Sequence, residues 1–124
     1  PCLEPIQKAA KKLERMGCRA ISAECGYFSY FQREIAASVD VPVFMSSLLQ
    51  VPLAQQVIGP EKVVGIYVGT KSAVRNEHLT SVGIQLGSNY VVEGACDNNV
   101  WLEFINLWNA ETRPERPGAR GTGR

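Results

Sequence analysis

The stretch AISAECGYFSYFQREIAASVDVPVF, residues 20–44, decides the fold, because in it one strand ends, a helix follows and a second strand begins. Residues 18–23 form a short, mostly apolar segment that is typical of a buried strand. The helical pattern after Cys25 consists of large apolar side chains at three- or four-residue intervals: Phe28, Phe31, Ile35 and Val39. Cys25 therefore lies between the end of a strand and the start of a helix. In an open α/β sheet, ligands bind at that edge.

The same alternation continues on both sides of this stretch. Helices are predicted at 6–17, 48–59 and 72–83, each ending at a glycine, and strands at 42–47, 62–70 and 89–94. Alternating strands and helices predict a parallel sheet with right-handed crossovers. The predicted fold class is α/β: a three-layer, mainly parallel sheet with flanking helices, as in a Rossmann- or flavodoxin-like lobe, incomplete at both ends.

Composition restricts the class of protein. The 124 residues carry 13 basic and 12 acidic side chains, a net charge of +1, so neither nucleic acid nor a membrane is expected as a partner. No apolar run approaches the roughly 20 residues that span a bilayer. The four cysteines have neither a CxxC pair nor metal-ligand spacing, which predicts free thiols, no metal site and a cytoplasmic protein.

Small and polar residues follow three of the predicted strands. They are Cys25 and Gly26 after the first, Ser46 and Ser47 after the second, and Gly69, Thr70 and Ser72 after the third. Free backbone N–H groups at a helix N-terminus favour a carboxylate or phosphate ligand. Serine and threonine are also common N-caps where no ligand binds. Because the three groups lie at one edge of the predicted sheet, they indicate a ligand site there.

Two nucleotide-binding motifs are excluded. In GIYVGTKS, residues 65–72, three residues separate the glycines instead of four, and Thr70 comes before Lys71, so the segment is not a P-loop. The chain also contains no GxGxxG, which excludes the dinucleotide-binding fingerprint.

Cys25 is the candidate reactive residue. A position at a helix N-terminus favours the thiolate form of a cysteine, and the following Gly26 leaves the backbone open to a ligand. Free cysteines are otherwise among the most buried residue types, and a packing role is favoured for Cys2, Cys18 and Cys96. Position therefore distinguishes Cys25 from the other three cysteines.

Two segments resemble the aspartate/glutamate racemase superfamily, in particular its hydantoin-racemase-like, poorly characterised branch. They are AISAECGYFSYFQREIAASVDVPVFMSSLLQVPL and VVGIYVGTKSAVRNEHL, and the resemblance covers most of residues 5–112. It implies a PLP-independent racemase or isomerase of amino acids or hydantoin-type compounds, without a cofactor, in which cysteine thiols move a proton at a carbon next to a carbonyl. By this resemblance Cys25 is catalytic, and the loops around the substrate's carboxylate contain Ser46, Ser47, Thr70 and Ser72.

The chain departs from the superfamily pattern at several points. Gly26 and Tyr27 replace the Asn-Thr pair that usually follows the first cysteine. No Cys-Thr motif supplies the second thiol, and Cys96 is the only candidate replacement. The first strand of the superfamily would precede Ile6 and is missing. The resemblance therefore implies that the parent protein is the racemase and that this chain is a fragment, inactive alone.

The expected organisation follows from the resemblance. Residues 1–60 are part of a first lobe without its N-terminal strand, residues 61–112 begin a second lobe and include the amphipathic segment 99–109, and residues 113–124 are a disordered tail. The expected partners are a small carboxylate or amino-acid-like substrate and a second copy of the chain in a homodimer. The alternative is a truncated, inactive α/β module that acts in ligand binding or association.

Overall fold

The computed structural model describes residues 2–97 and Glu103. The predicted tail 113–124 and, apart from Glu103, the predicted amphipathic segment 99–109 lie outside the described residues. No helix of the described residues is both long enough and apolar enough to cross a membrane.

The first helix, α1, spans Leu3–Arg15 and packs on the core through a narrow apolar face. Ala10 is the buried residue of this helix, and Leu3 and Ile6 are partly buried against the same cluster. Gly17 follows the helix with φ of +90°, a left-handed conformation that glycine adopts without the steric cost of a Cβ. The predicted end of the helix at Gly17 is confirmed.

Two short strands, β1 (Ile21–Ser22) and β2 (Val43–Phe44), pair in parallel. The segment between them begins as a 3₁₀ turn, Gly26–Phe31, and continues as the helix α2, Gln32–Ala36. The buried core of this half consists of Ala10, Ile21, Ile35, Val43 and Met45. Because these side chains are buried together, their hydrophobic contacts stabilise the pair, although each strand is only two residues long.

A side chain covers the free edge of β2. Gln32 donates from Nε2 to the Val43 carbonyl oxygen at 2.9 Å, and its Oε1 accepts from the Met45 N–H at 2.9 Å. The backbone groups of alternate residues in a strand point to opposite edges, and the Pro42 and Phe44 carbonyl oxygens bind β1. The Gln32 amide therefore takes the place of a neighbouring strand.

A longer strand pair forms the second half. β3 (Val64–Val68) and β4 (Tyr90–Gly94) are parallel, with five residue pairs in register. The helix α3, Val51–Ile58, precedes β3 and ends at Gly59, where φ is +82°. The buried core around β3 consists of Val51, Ile66, Leu79, Val82 and Ile84.

The helix after β3 is shorter than the sequence pattern predicts. In place of one helix over 72–83, a 3₁₀ turn, Lys71–Ala73, comes first, and the helix α4 spans Asn76–Thr80. Arg75 is extended, and its N–H donates to Nδ1 of His78 at 3.0 Å. This side-chain bond starts a new helix after the turn, as capping interactions do.

The structure is therefore a small α/β unit with parallel strand pairs, as the alternation predicts. The described residues form two separate two-stranded sheets, β1–β2 and β3–β4, and do not make up one three-layer sandwich. An apolar cavity of about 340 Å³ between α1 and β1 is lined by residues that include Ile6, Leu13, Ile21 and Phe28. The division into lobes at residue 60 stays a prediction.

Candidate functional site

A cavity of about 230 Å³ lies next to the carboxyl ends of β2 and β3. All three predicted loops contribute to its walls: Gly26 from the first, Ser46 and Ser47 from the second, and Gly69 from the third. The structure therefore brings these loops together, although they are far apart in the sequence.

Gly26 and Ser46 are close neighbours in this cavity. A Cβ atom placed on Gly26 would lie 3.8 Å from Ser46 Oγ, an ordinary contact distance. Ser46 is buried, and its Oγ accepts a hydrogen bond from the Leu48 N–H at 3.2 Å. This bond makes Ser46 the N-cap of the 3₁₀ turn Ser47–Gln50. Because the oxygen accepts the capping bond, the hydroxyl proton of Ser46 can donate to a ligand.

Cys25 lies beside the cavity without lining it. Its side chain is exposed, and the residue directly precedes Gly26, which does line the cavity. The backbone of Cys25 is extended (φ −81°, ψ 117°), and its carbonyl oxygen accepts from the Phe28 N–H at 3.0 Å. The thiol is therefore open to solvent at the start of the turn Gly26–Phe31.

Thr70 and Ser72, the other two predicted contacts, are not among the residues that line the cavity. The Thr70 N–H donates to the Tyr27 hydroxyl oxygen at 2.8 Å, and the Tyr27 hydroxyl donates to the Thr70 carbonyl oxygen at 3.0 Å. Ser72 is exposed in the turn Lys71–Ala73. Thr70 therefore contributes to the site by fixing Tyr27, and the substrate contact of Ser72 stays a prediction.

The helix N-termini predicted at this site are 3₁₀ turns. They contain six, four and three residues, at Gly26–Phe31, Ser47–Gln50 and Lys71–Ala73. The first two turns continue directly into α2 and α3, whereas the turn Lys71–Ala73 stands apart from α4 and aligns few peptide dipoles toward an anion. Hydroxyl and backbone N–H groups remain as the donors for a carboxylate.

Sequence reasoning missed the aromatic side chains of the cavity, Tyr27, Tyr67 and His78. The rings of Tyr27 and His78 meet edge to face, with centroids 5.8 Å apart and planes at 77°. His78 is the single histidine of the sequence, and it reaches the cavity because α4 packs on the turn Gly26–Phe31. No local pattern in the sequence shows that contact.

His78 has the hydrogen-bond pattern of a donor toward the cavity. Its side chain is buried, and Nδ1 accepts from the Arg75 N–H. A neutral imidazole whose Nδ1 accepts carries its proton on Nε2. His78 can therefore donate a hydrogen bond to a carboxylate, and removal of a proton from a substrate falls to another group.

Ser29 adds a buried hydroxyl group to the walls. The residue is 0% exposed and lines the cavity, and its Oγ has no hydrogen-bond partner within residues 2–97 or at Glu103. A buried hydroxyl without a partner costs about 1–3 kcal/mol. A ligand or an ordered water that bonded to it would relieve that cost.

The described residues give the walls of the cavity no formal charge from acidic or basic side chains. No Asp, Glu, Lys or Arg side chain in the described part of the chain lines it. Across the same residues, no cluster of three or more His, Cys, Asp or Glu side chains could hold a metal ion. The site is a small cavity with hydroxyl groups and aromatic rings in its walls, next to an exposed thiol.

Known proteins similar to this chain share one name. Dimethylsulfoniopropionate lyase 5 of Emiliania huxleyi (strain CCMP1516) is 25% identical over 95 residues, which are 72% of this chain and 19% of that protein. A dimethylsulfoniopropionate lyase of Durusdinium sp. clade D is 31% identical over 64 residues, 52% of this chain and 21% of that protein. Dimethylsulfoniopropionate lyase 7 of Emiliania huxleyi (strain CCMP1516) is 46% identical over 44 residues, 36% of this chain and 13% of that protein. The chain spans about a fifth of the length of the first two. No protein-family profile and no solved structure matches it.

These relatives overturn the predicted family and function. The matching proteins are named lyases, so the aspartate/glutamate racemase assignment, with its racemase or isomerase activity on amino acids or hydantoins, is wrong. The resemblance misleads because a strand followed by Cys25 and Gly26, and a second strand followed by two serines, build strand ends without specifying a reaction. The alternative of an inactive module for binding or association receives no support from these relatives either.

Proposed function

We propose that this chain is part of a lyase that cleaves dimethylsulfoniopropionate. The observation that supports it most is a cavity beside the exposed thiol of Cys25, lined by no charged side chain of residues 2–97 or Glu103, in a chain whose relatives carry that name. The substrate is a small carboxylate with a sulfonium group and no net charge, which suits walls to which the described residues bring no charged side chain. Because the chain spans about a fifth of the first relatives, the activity of the whole protein is part of the proposal.

The proposed reaction is an elimination that requires one base. The base takes a proton from the carbon next to the carboxylate, and the electron pair of that C–H bond forms a carbon–carbon double bond. The C–S bond breaks, and its electron pair stays on the sulfur. The products are acrylate and dimethyl sulfide, and the proton remains on the base.

Cys25 is the proposed base. Its thiol is exposed and the residue directly precedes Gly26, and we propose that a substrate seated against Gly26 turns its acidic C–H bond toward this sulfur. His78 is the other basic group at the cavity, but its Nδ1 lone pair already accepts from the Arg75 N–H. A thiolate removes the proton and becomes a thiol, and the elimination requires no electron transfer. The proposal therefore includes no cofactor.

The carboxylate of the substrate is proposed to lie against Ser46, Ser47 and His78. Each of these residues lines the cavity and has a proton to donate. Negative charge builds up on the carboxylate oxygens as the neighbouring proton leaves, so donors placed there stabilise the transition state more than the ground state. Gly26 leaves room for the substrate to approach the backbone, and Thr70 acts indirectly by holding Tyr27.

Formation of both products tests the proposal. The purified chain, and the longest product that its gene encodes, are incubated with dimethylsulfoniopropionate, and dimethyl sulfide and acrylate are measured in the same sample. We expect equal amounts of the two, since one elimination makes one molecule of each. If the longest product forms neither, the proposal is wrong.

The role of Cys25 has its own test. Cys25→Ala is expected to lower the rate of dimethyl sulfide release by about 100-fold or more, as loss of a general base does. Cys2→Ala is the matched control, because it removes another exposed thiol. A Cys25→Ala protein that is as fast as the Cys2→Ala protein would show that another group is the base.

A further inference from the structure

The cavity contains three aromatic rings, Tyr27, Tyr67 and His78, but no acidic side chain of the described residues. Among the described residues, aromatic rings and not carboxylates are available to hold a cation there. Aromatic faces attract cations through their quadrupole, and the attraction grows when water is displaced. We propose that Tyr67 and Tyr27 form a subsite for an onium group, so that the site selects small carboxylates that carry a sulfonium or a quaternary ammonium. This subsite rests on the proposed lyase function and adds which residues bind the cationic end of the substrate.

The ring of Tyr27 is fixed before any ligand binds. Its hydroxyl is bound at both polar groups of the Thr70 backbone, at 2.8 and 3.0 Å, and the ring of His78 packs edge to face with it. A ring held in this way loses little conformational entropy when it contacts a ligand. Tyr27 therefore offers a preformed surface to the onium group.

Tyr67 gives the second ring, from the strand β3. Side chains in a strand alternate between faces, so Ile66 enters the core of β3 while Tyr67 points away from it. Tyr67 lines the cavity, yet it is 77% exposed. This large aromatic side chain therefore faces solvent and does not pack in the core. Contact with an apolar, positively charged group would give this exposed ring a partner.

The balance of charge also favours a zwitterion. An acidic wall would repel the substrate's carboxylate, and a basic wall would repel its cation, at the short distances of a cavity of about 230 Å³. Neutral hydroxyl groups on Ser46 and Ser47 and neutral aromatic rings bind the two ends without this conflict. The volume is below the roughly 300–1,000 Å³ of cavities for drug-sized ligands, which fits a small metabolite.

The test uses two ligands of the same shape that differ in one atom. Dimethylsulfonioacetate carries the sulfonium and the carboxylate, but it has no second carbon between them and so cannot undergo the elimination. 3-Methylbutanoate has carbon in place of the sulfur and carries no positive charge. Calorimetric titration of the full chain with each is expected to show about fivefold tighter binding of the sulfonium, as a cation–π contact of moderate exposure gives.

Two variants of Tyr67 connect this preference to the ring. Tyr67→Leu is expected to reduce the preference to less than about twofold, whereas Tyr67→Phe keeps the aromatic face and is expected to retain it. Both proteins should fold, since the side chain is 77% exposed. Equal binding of the two ligands, no binding of either, or a preference that survives in Tyr67→Leu would each overturn the subsite.

The outcome for the subsite is separate from the outcome for the reaction. Dimethyl sulfide release without a preference for the sulfonium would support the lyase function and overturn the subsite. A preference for the sulfonium that depends on Tyr67, without any release of dimethyl sulfide, would support an onium-carboxylate site and overturn the lyase function.

Discussion

The two strand pairs of the molecule contribute different chemistry to the same cavity. The β1–β2 half contributes the hydroxyl groups of Ser29, Ser46 and Ser47 together with the ring of Tyr27, whereas the β3–β4 half contributes Gly69 and the large side chains of Tyr67 and His78. Small residues leave space and supply donors, and large rings fill space and supply apolar contact. The two tyrosine rings of the onium subsite, Tyr27 and Tyr67, come from different halves, so that subsite depends on the two halves being held together.

The halves are also stabilised in different ways. The β1–β2 pair has two residues in each strand, and the amide of Gln32 bonds to the outer edge of β2. The β3–β4 pair has five residues in register, and the close approach of Gly94 to the turn Lys71–Ala73 closes its end. The stability of the β1–β2 half should therefore fall when the Gln32 amide is removed. The stability of the β3–β4 half should fall when a side chain is added at Gly94.

The largest effect is expected from Gln32→Leu. Leucine has a similar size, but it leaves the Val43 carbonyl oxygen and the Met45 N–H without the partners that they have at 2.9 Å. Both groups are buried, so we expect the free energy of unfolding to fall by about 3 kcal/mol. Urea unfolding followed by circular dichroism measures the change.

Gln55→Leu is the matched control for this change. The amide of Gln55 also makes two hydrogen bonds, to Ser88 Oγ at 3.0 Å and to the Asn89 carbonyl oxygen at 3.3 Å. These partners lie near solvent, so water replaces the lost bonds and we expect a loss of about 0.5 kcal/mol. Equal losses for the two variants would mean that the Gln32 amide does not replace a strand at the edge of β2.

The second prediction concerns a side chain added to the other half. A Cβ atom on Gly94 would lie 2.8 Å from the backbone nitrogen of Lys71 and would collide with the carboxylate of Asp97. Backbone atoms cannot rotate away as a side chain can, so Gly94→Ala is expected to lower the free energy of unfolding by about 2 kcal/mol. The same urea titration measures it.

Gly65→Ala makes the same substitution in the paired strand β3. A Cβ atom at Gly65 would have no atom within 4 Å, and alanine is favoured over glycine inside a strand. We therefore expect no loss, or a gain of about 0.5 kcal/mol. A Gly94→Ala protein as stable as the Gly65→Ala protein would contradict the close packing of the turn Lys71–Ala73 on the end of β4.

The elements predicted from the sequence are those with local signals. Gly17 and Gly59 mark the ends of α1 and α3, where only glycine takes the positive φ without strain, and the apolar run around Ile66 gives β3. The helix over 72–83 is broken because the Arg75 N–H bonds to His78, and apolar spacing contains no information on that bond. Apolar periodicity and glycine therefore locate an element and its end, but they do not show a break that a side-chain hydrogen bond makes inside it.

The site was predicted only in part, because its strand ends have local sequence signals and the contacts between the two halves do not. Gly26, Ser46 and Ser47 follow strands, and parallel strands bring their carboxyl ends to one edge. The contact between Tyr27 and Thr70 joins residues 43 positions apart, and only the packing of the two halves creates it. The reaction could not be read from the strand ends, since the same turns can hold different chemistry.

The smallest effect is expected at the contact between Tyr27 and Thr70, one of those that join the two halves. Tyr27→Phe keeps the ring but removes the hydroxyl that accepts from the Thr70 N–H and donates to the Thr70 carbonyl oxygen. The contact is partly buried, so we expect the free energy of unfolding to fall by about 1 kcal/mol, together with faster hydrogen exchange of the Thr70 amide.

Tyr30→Phe is the matched control, because the Tyr30 ring also packs edge to face on His78, with centroids 5.3 Å apart. Its hydroxyl forms no hydrogen bond within the described residues, so exchange at Thr70 should not change. If both variants speed up exchange at Thr70 equally, the ring contacts with His78, and not the Tyr27 hydroxyl, hold the two halves together at the cavity.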